Sequence, residues 1–246
     1  MSVTVRFAGS GDSFGSGGRF QTCIVVDAPG IRFAVDFGAS SLIALARLGI
    51  APNSLDAVLL THLHGDHCGG VPFLLLDAML GSRRDRALTV AGPAGTTAHM
   101  ARLQEALFPG SRVMTPRFPL TYTELPERVA SRVLDLRVTP EPARHVPETR
   151  PTALRIEVAG RTIAYTGDTE WTADVARVAA GADLLIAECY FYGKLVKNHL
   201  TYAAIADGVR TAGARRVILT HMSTEMLAHR ADVPEECAED GMVVAL

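Results

Sequence analysis

The feature that most constrains this 246-residue chain is the segment 61–70, which is rich in side chains that bind metal ions. It reads Thr-His-Leu-His-Gly-Asp-His-Cys-Gly-Gly and follows the apolar run 55–60, which predicts a buried strand. Its four candidate ligands are His62, His64, Asp66 and His67. On an extended backbone the first two point to the same side, and the glycine that follows them allows the last two to face a second ion. A polar loop that is merely rich in histidine is the alternative, but such clusters are more typical of metal or catalytic sites.

Composition and charge limit what kind of protein this chain is. The length fits one domain spanning 1–246, and a 48% share of hydrophobic residues supplies a sizeable core. The net charge of −2 provides no basic field for nucleic acid. No apolar run has the length of a membrane span, the N-terminus lacks a signal-peptide pattern, and the four cysteines form no CxxC pair. We therefore expect a cytoplasmic protein with free thiols and no membrane segment.

Short apolar and alternating segments predict two β-sheets. Strands are predicted at 3–7, 20–27, 31–36, 55–60, 88–91, 118–125, 133–140, 153–158, 162–166, 183–188, 216–219 and 242–245, and helices at 40–48, 71–80, 96–107, 172–180 and 201–212. Both halves of the chain begin with strands and then alternate strands with helices. This order favours an α/β (α+β) fold in which two sheets pack together with helices on the outer faces.

The predicted helix 71–80 is apolar on almost every face. A surface helix should be amphipathic, so this helix is expected to be covered on two sides. A second copy of the chain would provide one of those covers. We therefore expect a homodimer through this helix.

Three further candidate ligands, His145, Asp168 and His221, follow predicted strands or lie in a loop between them. Sheets of this kind place their sites at such strand ends. A single histidine in a loop is usually a surface residue, but the repeated placement favours a shared site. Seven ligands are too many for one tetrahedral ion and suit two. Imidazole combined with carboxylate indicates two divalent ions, zinc first, with manganese or iron as alternatives.

These residues resemble the metallo-β-lactamase fold superfamily. The resemblance consists of Thr-His-Leu-His-Gly-Asp-His, a downstream histidine, Gly-Asp-Thr at 167–169 and Thr-His at 220–221, and it spans nearly the whole chain. It implies a four-layer αββα sandwich of two mixed sheets with a dinuclear metal site at one edge. It implies one ion held by His62, His64 and His145, a second held by Asp66, His67 and His221, and Asp168 as a bridge. It also implies that Asp36, in Val-Asp-Phe-Gly, supports the ligand-bearing loop from behind.

Within the superfamily the chain resembles ribonuclease Z and its phosphodiesterase and arylsulfatase relatives. The residues that carry this likeness are Ala-Glu at 187–188, His-Leu-Thr at 199–201 before an alanine-rich helix, and Leu-Thr-His-Met-Ser at 219–223. In that subgroup the glutamate and the following histidine form a pair that helps to protonate the leaving group. The resemblance therefore implies catalytic roles for Glu188 and His199, a pair that zinc β-lactamases lack.

The expected chemistry is metal-dependent hydrolysis. Two ions would stabilise a bridging hydroxide, and Asp66 would orient or deprotonate the attacking water. His199, charged and held by Glu188, would protonate a departing alkoxide. Lys194 and Lys197 lie in the same loop and could attract a small anionic ester, although a solvated loop explains them equally well.

The chain departs from ribonuclease Z in a feature that affects substrate size. That enzyme carries a long tRNA-gripping arm between the ligands that correspond to His145 and Asp168, and here those residues are so close that one hairpin fills the gap. Together with the weak net charge, this makes precursor tRNA a disfavoured partner. We expect a phosphodiesterase for a small or short phosphodiester. The alternatives are an arylsulfatase or other ester or lactone hydrolase, a ribonuclease Z-type tRNA 3′-processing endonuclease, and a non-catalytic metal-binding module.

Overall fold

Two seven-stranded sheets form the centre of the computed structural model, which describes residues 2–246 apart from the side chains at 112, 209 and 210. The strands are β1 (Thr4–Gly9), β2 (Cys23–Ala28), β3 (Ile31–Val35), β4 (Ala57–Leu59), β5 (Leu88–Gly92), β6 (Leu120–Glu124), β7 (Ser131–Val133), β8 (Leu136–Pro142), β9 (Thr152–Val158), β10 (Arg161–Tyr165), β11 (Leu184–Glu188), β12 (Val217–Thr220), β13 (Glu236–Cys237) and β14 (Val243–Ala245). The first sheet has the order β14-β1-β2-β3-β4-β5-β6 and the second β13-β12-β11-β10-β9-β8-β7. Both combine antiparallel with parallel neighbours, so both are mixed.

Residues 2–246 contain seven α-helices, and helices cover the outer face of each sheet. They are α1 (Ser41–Arg47), α2 (Gly65–Cys68), α3 (Val71–Leu76), α4 (Thr96–Leu107), α5 (Ala173–Ala179), α6 (Tyr202–Ala212) and α7 (Thr224–Ala228). In the part of the chain that the structure describes, no helix combines the length and the apolarity that a membrane crossing requires.

Alternation along the strands fills three apolar layers. In β2, Ile24 and Val26 enter the core between the sheets, whereas Val25 enters the core beneath the helices of the first sheet, because successive side chains point to opposite faces. A third core lies between the second sheet and α5, α6 and α7. Each fully buried Leu, Ile or Val contributes about 1.5–3 kcal/mol. The predicted four-layer αββα arrangement is confirmed.

Two predicted elements differ from the structure. The strand predicted at 133–140 is wrong as a single unit, because Val133 pairs with Leu136 across a tight turn in which Leu134 has a φ of 53°. The apolar alternation continues through this turn, so the pattern did not reveal it. The helix predicted at 71–80 is α only as far as Leu76 and continues as a π-helical turn over Asp77–Gly81.

The parallel strands direct the candidate ligands to one edge of the sandwich. β4 runs into the ligand-rich segment 61–70, and β10, β11 and β12 lead to Asp168, Glu188 and His221 respectively. The carboxyl ends of parallel strands meet at the same edge of a sheet, which explains why residues far apart in sequence converge there.

Candidate metal and catalytic site

Three histidines from both sheets form the first group at this edge. His62 and His64 follow β4, and His145 follows β8. Nδ1 of His64 lies 3.1 Å from Nε2 of His62 and 3.1 Å from Nε2 of His145. The three nitrogen atoms lie within 4.8 Å of one another, which is a spacing that one ion could occupy.

The second group consists of four buried side chains, Asp66, His67, Asp168 and His221. Asp66 and His67 lie on the four-residue helix α2, so the sharp turn expected after Gly65 is the start of this helix. Nε2 of His67 lies 3.4 Å from Oδ2 of Asp66, 3.3 Å from Oδ1 of Asp168 and 3.3 Å from Nε2 of His221.

Asp168 lies between the two groups and presents one carboxylate oxygen to each. Oδ2 is 4.0 Å from Nε2 of His62 and 3.9 Å from Nε2 of His145. Oδ1 is 3.3 Å from Nε2 of His67 and 3.6 Å from Nε2 of His221. This is the placement that a carboxylate needs in order to contact two ions at once.

Asp36 connects the two groups through hydrogen bonds to Thr61, which contacts His62, and to His67. Its Oδ1 accepts the backbone N–H of Thr61 at 2.8 Å, and its Oδ2 accepts the Thr61 hydroxyl at 2.8 Å and Nδ1 of His67 at 2.7 Å. Since the Thr61 hydroxyl donates to Asp36, its oxygen is free to accept Nδ1–H of His62 at 3.1 Å. As ligands, both imidazoles would therefore carry their proton on Nδ1 and direct an Nε2 lone pair at a cation, which on His67 takes the place of a second proton.

His145 follows the same rule, because its Nδ1–H donates to the carbonyl of Asn198 at 2.8 Å and leaves Nε2 unprotonated. Lone pairs of several imidazoles thus face one another at short range. Within residues 2–246, the buried atoms Oδ1 of Asp168 and Nδ1 of His221 have no hydrogen-bond partner. Opposed lone pairs and a bare buried carboxylate oxygen are unfavourable for protein alone and favourable around cations. The donor set fits two divalent ions, with zinc preferred for neutral imidazole and carboxylate.

The pKa shifts of the side chains in the two groups also favour bound cations. Burial, reinforced by His67, lowers the pKa of His62 well below its usual value, which keeps the imidazole neutral as a ligand must be. Burial opposes ionisation of Asp66, but His67 and His221 outweigh it and hold the pKa of this carboxyl far below its usual range. Burial likewise disfavours charge on His67, yet Asp168, Asp66 and Asp36 raise its pKa well above normal. The carboxylates thus concentrate negative charge where a cation would bind.

Glu188 and His199 form a hydrogen-bonded pair beside these groups. Nδ1 of His199 lies 2.9 Å from Oε2 of the fully buried Glu188, whose Oε1 accepts the backbone N–H groups of Thr169 and Leu200. Burial, reinforced by Asp168, raises the pKa of Glu188 well above its usual value, and burial lowers the pKa of His199. Nδ1 of His199 is also 4.0 Å from Oδ2 of Asp168, so the pair borders the metal groups.

Three residues at the site have roles that sequence reasoning missed. Thr61 accepts from His62, the carbonyl of Asn198 orients His145, and the ring of Tyr190 stacks on His199 with a centroid distance of 4.6 Å. Thr61 lies in the ligand-rich segment 61–70, and Tyr190 lies two positions after Glu188. Their positions in the sequence could therefore have indicated both residues. A backbone carbonyl such as that of Asn198 leaves no trace in the sequence.

The two lysines occupy different surroundings. Nζ of Lys194 lies over the ring of Phe191, 5.2 Å from its centroid. Lys197 instead lines a cavity of about 370 Å³ together with Trp171 and His199. Of the two, Lys197 is therefore the one that the structure places next to a candidate catalytic side chain.

Comparison with known proteins agrees with this geometry. The chain is 28% identical over 274 residues to ribonuclease Z of Methanothermobacter thermautotrophicus, covering 90% of this chain and 87% of that protein. The fold is similar to the short form of human tRNase Z (TM-score 0.79, 22% identity, 98% of each chain) and to a diphosphatase of the PhnP family (TM-score 0.78, 18% identity, 98% of this chain and 97% of the other). The family model of the β-lactamase superfamily domain matches residues 29–222. Because this match spans most of the chain and includes the six ligand candidates from His62 to Asp168 together with His221, the protein belongs to the metallo-β-lactamase superfamily, in its ribonuclease Z-like subgroup.

Proposed function

We propose that this protein is a dinuclear-metal phosphodiesterase that acts on a small or short phosphodiester. The observation that carries the proposal is Asp168, whose two carboxylate oxygens face two separate ligand groups. The ions would be held by His62, His64 and His145 on one side and by Asp66, His67 and His221 on the other. When bound there, divalent ions supply a nucleophilic water at neutral pH and neutralise charge on the non-bridging phosphate oxygens.

The side chains of the protein would perform the proton transfers. Asp66 stays ionised and lies in the metal groups, so it can hold the attacking water in line. Burial raises the pKa of Glu188, so its carboxyl can donate a proton to Nδ1 of His199; this hydrogen bond fixes the imidazole and leaves the proton on Nε2 available to a leaving oxygen. Leaving groups with a high pKa need this proton most, which makes an alkyl phosphodiester the substrate that suits the pair.

The size of the substrate is inferred from the connection between His145 and Asp168. A short 3₁₀ turn and the β9–β10 hairpin occupy it, so this part of the chain carries no protruding arm. The formal net charge of −2 argues in the same direction, because a large polyanion requires many basic contacts.

The test is a comparison of leaving groups. We expect His199→Ala to lower kcat/KM for a dinucleoside monophosphate by about 10²–10⁴-fold, the usual range for a general acid. Hydrolysis of bis-(p-nitrophenyl) phosphate, whose leaving group needs no proton, should change far less. His99→Ala removes a histidine from α4, away from the site, and should leave both rates unchanged. Equal losses on both substrates would contradict the acid role, and turnover that survives chelation would contradict the metal site.

A ribonuclease Z-type endonuclease is the second candidate, and the observation in its favour is the identity to ribonuclease Z over 90% of this chain. Incubation with a precursor tRNA and with short oligonucleotides of the same junction sequence separates the two proposals. A phosphodiesterase for short substrates should prefer the oligonucleotide, and an endonuclease of this type should prefer the precursor.

Other esters are physically close to a phosphodiester. Rates on an aryl sulfate, a lactone and a phosphodiester, measured side by side with the zinc-loaded protein, rank these alternatives. Stoichiometric metal with no turnover on any of them would favour a non-catalytic metal-binding module instead.

We also propose a homodimer through α3 and the π-helical turn after it. One face of α3 is buried in the core of its own chain, but Phe73 and Leu80 remain 37% and 61% exposed, and Leu107 at the end of α4 is 42% exposed. The ring of Phe73 also lies 5.1 Å from that of Phe108, the neighbour of Leu107, so α3 and the end of α4 both expose apolar side chains that a second copy would bury. Light scattering should show a dimer that Leu80→Glu converts to a monomer; a monomeric wild type would contradict the proposal.

We also propose a cytoplasmic location, with which the free thiols agree. Cys23, Cys68 and Cys189 are buried and unpaired, as is common in a reducing compartment. Fractionation of cells that express the protein would test this.

A further inference from the structure

A cavity of about 370 Å³ lies beside His199, between the loop 195–200, the start of α6 and the segment that carries Trp171. This volume is within the usual range for small-molecule sites. His199 belongs both to the lining of the cavity and to a cluster with Asp168, Glu188 and His221. The cavity is therefore adjacent to the group that protonates the leaving oxygen.

One wall of the cavity is a firmly held indole ring. A Cβ atom on Gly208 would lie only 2.0 Å from Cε2 of Trp171, so the indole packs directly against the backbone of α6. The residue is partly buried against the core of the second sheet. Because Gly208 has no side chain, the indole can pack directly on the backbone of α6. This wall of the cavity is therefore already formed without a ligand.

The remaining lining combines apolar surface with positive charge. Leu195 is 88% exposed, so its side chain has little cover in the protein. Lys197 contributes a cation at the same cavity. The carboxylate of Glu170, which also lines it, accepts the backbone N–H of Asn198 at 3.0 Å and pairs with Arg144 at 3.2 Å, so it is already occupied. Lys197 also interacts electrostatically with Glu170, and its ammonium group remains the cation at this cavity. An indole ring, an aliphatic surface and an ammonium group together suit a flat ring that carries an anionic substituent.

We propose that this cavity is the subsite for the leaving group and that it binds a nucleotide-like leaving group, with its base against Trp171 and an anionic group near Lys197. The proposal rests on the proposed function. In the reaction, hydroxide held in line by Asp66 attacks phosphorus, while the bond from phosphorus to the leaving oxygen breaks. That oxygen takes the proton from Nε2 of His199, and the rest of the departing alcohol lies in the cavity next to the same imidazole.

The test uses the fact that Trp171 is the only tryptophan in the chain. Uridine monophosphate, titrated into the zinc-loaded protein, should quench the indole fluorescence saturably, whereas ribose phosphate, which lacks the base, should not. Lys197→Gln should weaken the uridine monophosphate titration by about threefold, the usual size of an exposed charge pair. Gly208→Ala should displace the indole and weaken the binding of uridine monophosphate further. Gly193→Ala is the matched control, because a Cβ there has open space.

A second variant guards against a folding defect in Gly208→Ala. Trp171→Leu should raise KM for a dinucleoside monophosphate about tenfold, the typical value of one stacked base, and should change kcat for the same substrate far less. The absence of saturable quenching up to about 10 mM nucleotide, or equal quenching by ribose phosphate, would overturn the subsite while leaving the hydrolase intact. Quenching without turnover of any phosphodiester would overturn the assignment to a leaving group, because the proposed function would then have failed.

Discussion

Among single residues, Asp36 orients two of the candidate metal ligands although it is not itself one of them. Its two oxygens accept three hydrogen bonds, from the backbone and hydroxyl of Thr61 and from Nδ1 of His67. Through them it fixes which nitrogen of His62 and of His67 faces the site. Asp36 has a φ of 56°, a left-handed conformation that Asp and Asn adopt more readily than other non-glycine residues. The residue therefore satisfies a backbone requirement and an electrostatic one together.

Asp36→Asn separates these two requirements. Asparagine tolerates the same backbone conformation, but its amide group has one acceptor oxygen in place of two and carries no charge. We expect zinc affinity to fall by about 10–100-fold, as is usual when a partner of a metal-binding histidine is lost. Competition with a chromogenic chelator measures this. Asp183→Asn alters an aspartate before β11 that pairs with Arg161 and Arg215, and it should leave zinc affinity unchanged; an unaltered affinity in Asp36→Asn would contradict the role of Asp36.

Between elements, the site depends on the close approach of two turns. The turn after β3 and the turn between α2 and α3 exchange backbone hydrogen bonds, from Phe37 N–H to the carbonyl of His67 and from Gly70 N–H to the carbonyl of Phe37. A Cβ on Gly38 would lie 2.2 Å from the carbonyl oxygen of Asp66, and one on Gly70 would lie 2.2 Å from that of Gly38. Both glycines are needed for this backbone contact, which holds α2 and its two candidate ligands in place.

Gly38→Ala should therefore destabilise the protein. The added methyl group meets backbone atoms that have little room to shift, and overpacking of this kind costs about 1–3 kcal/mol. Urea unfolding of the metal-free protein should show this loss as a lower midpoint with an unchanged slope. Gly65→Ala is a control in the same segment, because a Cβ there has nothing within 4 Å, and its midpoint should stay where it is. A midpoint for Gly38→Ala equal to that of Gly65→Ala would contradict the close-approach argument.

Elements with strong periodicity were predictable from the sequence, and contacts that arise only on folding were not. Strands such as β11 follow from continuous apolar runs, and His62 and His64 could be paired from their two-residue spacing because both lie on one extended segment. The turn at Leu134 was missed because alternation continues across it. The stacking of Tyr190 on His199 joins residues through the tertiary fold, so only coordinates reveal it.

In the whole molecule, the candidate metal site joins the two sheets. The first sheet supplies His62, His64, Asp66 and His67, and the second supplies His145, Asp168 and His221. Direct hydrogen bonds accompany this junction: the backbone N–H and hydroxyl of Thr152 donate to the carbonyl of Thr61 at 3.0 and 2.8 Å, and the backbone N–H of His221 donates to the carbonyl of Ser10 at 3.1 Å. Six of these seven side chains are buried and His64 is half-buried. Ionisable groups that meet there without cations oppose the packing of the sheets, so bound ions should contribute to the stability of the whole chain.

Removal of metal should consequently lower the melting temperature. With free zinc about 1,000-fold above Kd, binding to the folded state adds about 4 kcal/mol per site. In a chain of this size 1 kcal/mol corresponds to about 2–4 °C, so removal of both ions, about 8 kcal/mol together, should lower Tm by about 16–32 °C, and added zinc should restore it. Differential scanning calorimetry of zinc-loaded and chelated samples measures the shift. Asp168→Asn provides the matched control: if Asp168 links the two ion positions, chelation should shift its Tm much less than that of the wild type. Equal shifts in both proteins would show that the stabilising ion is bound elsewhere.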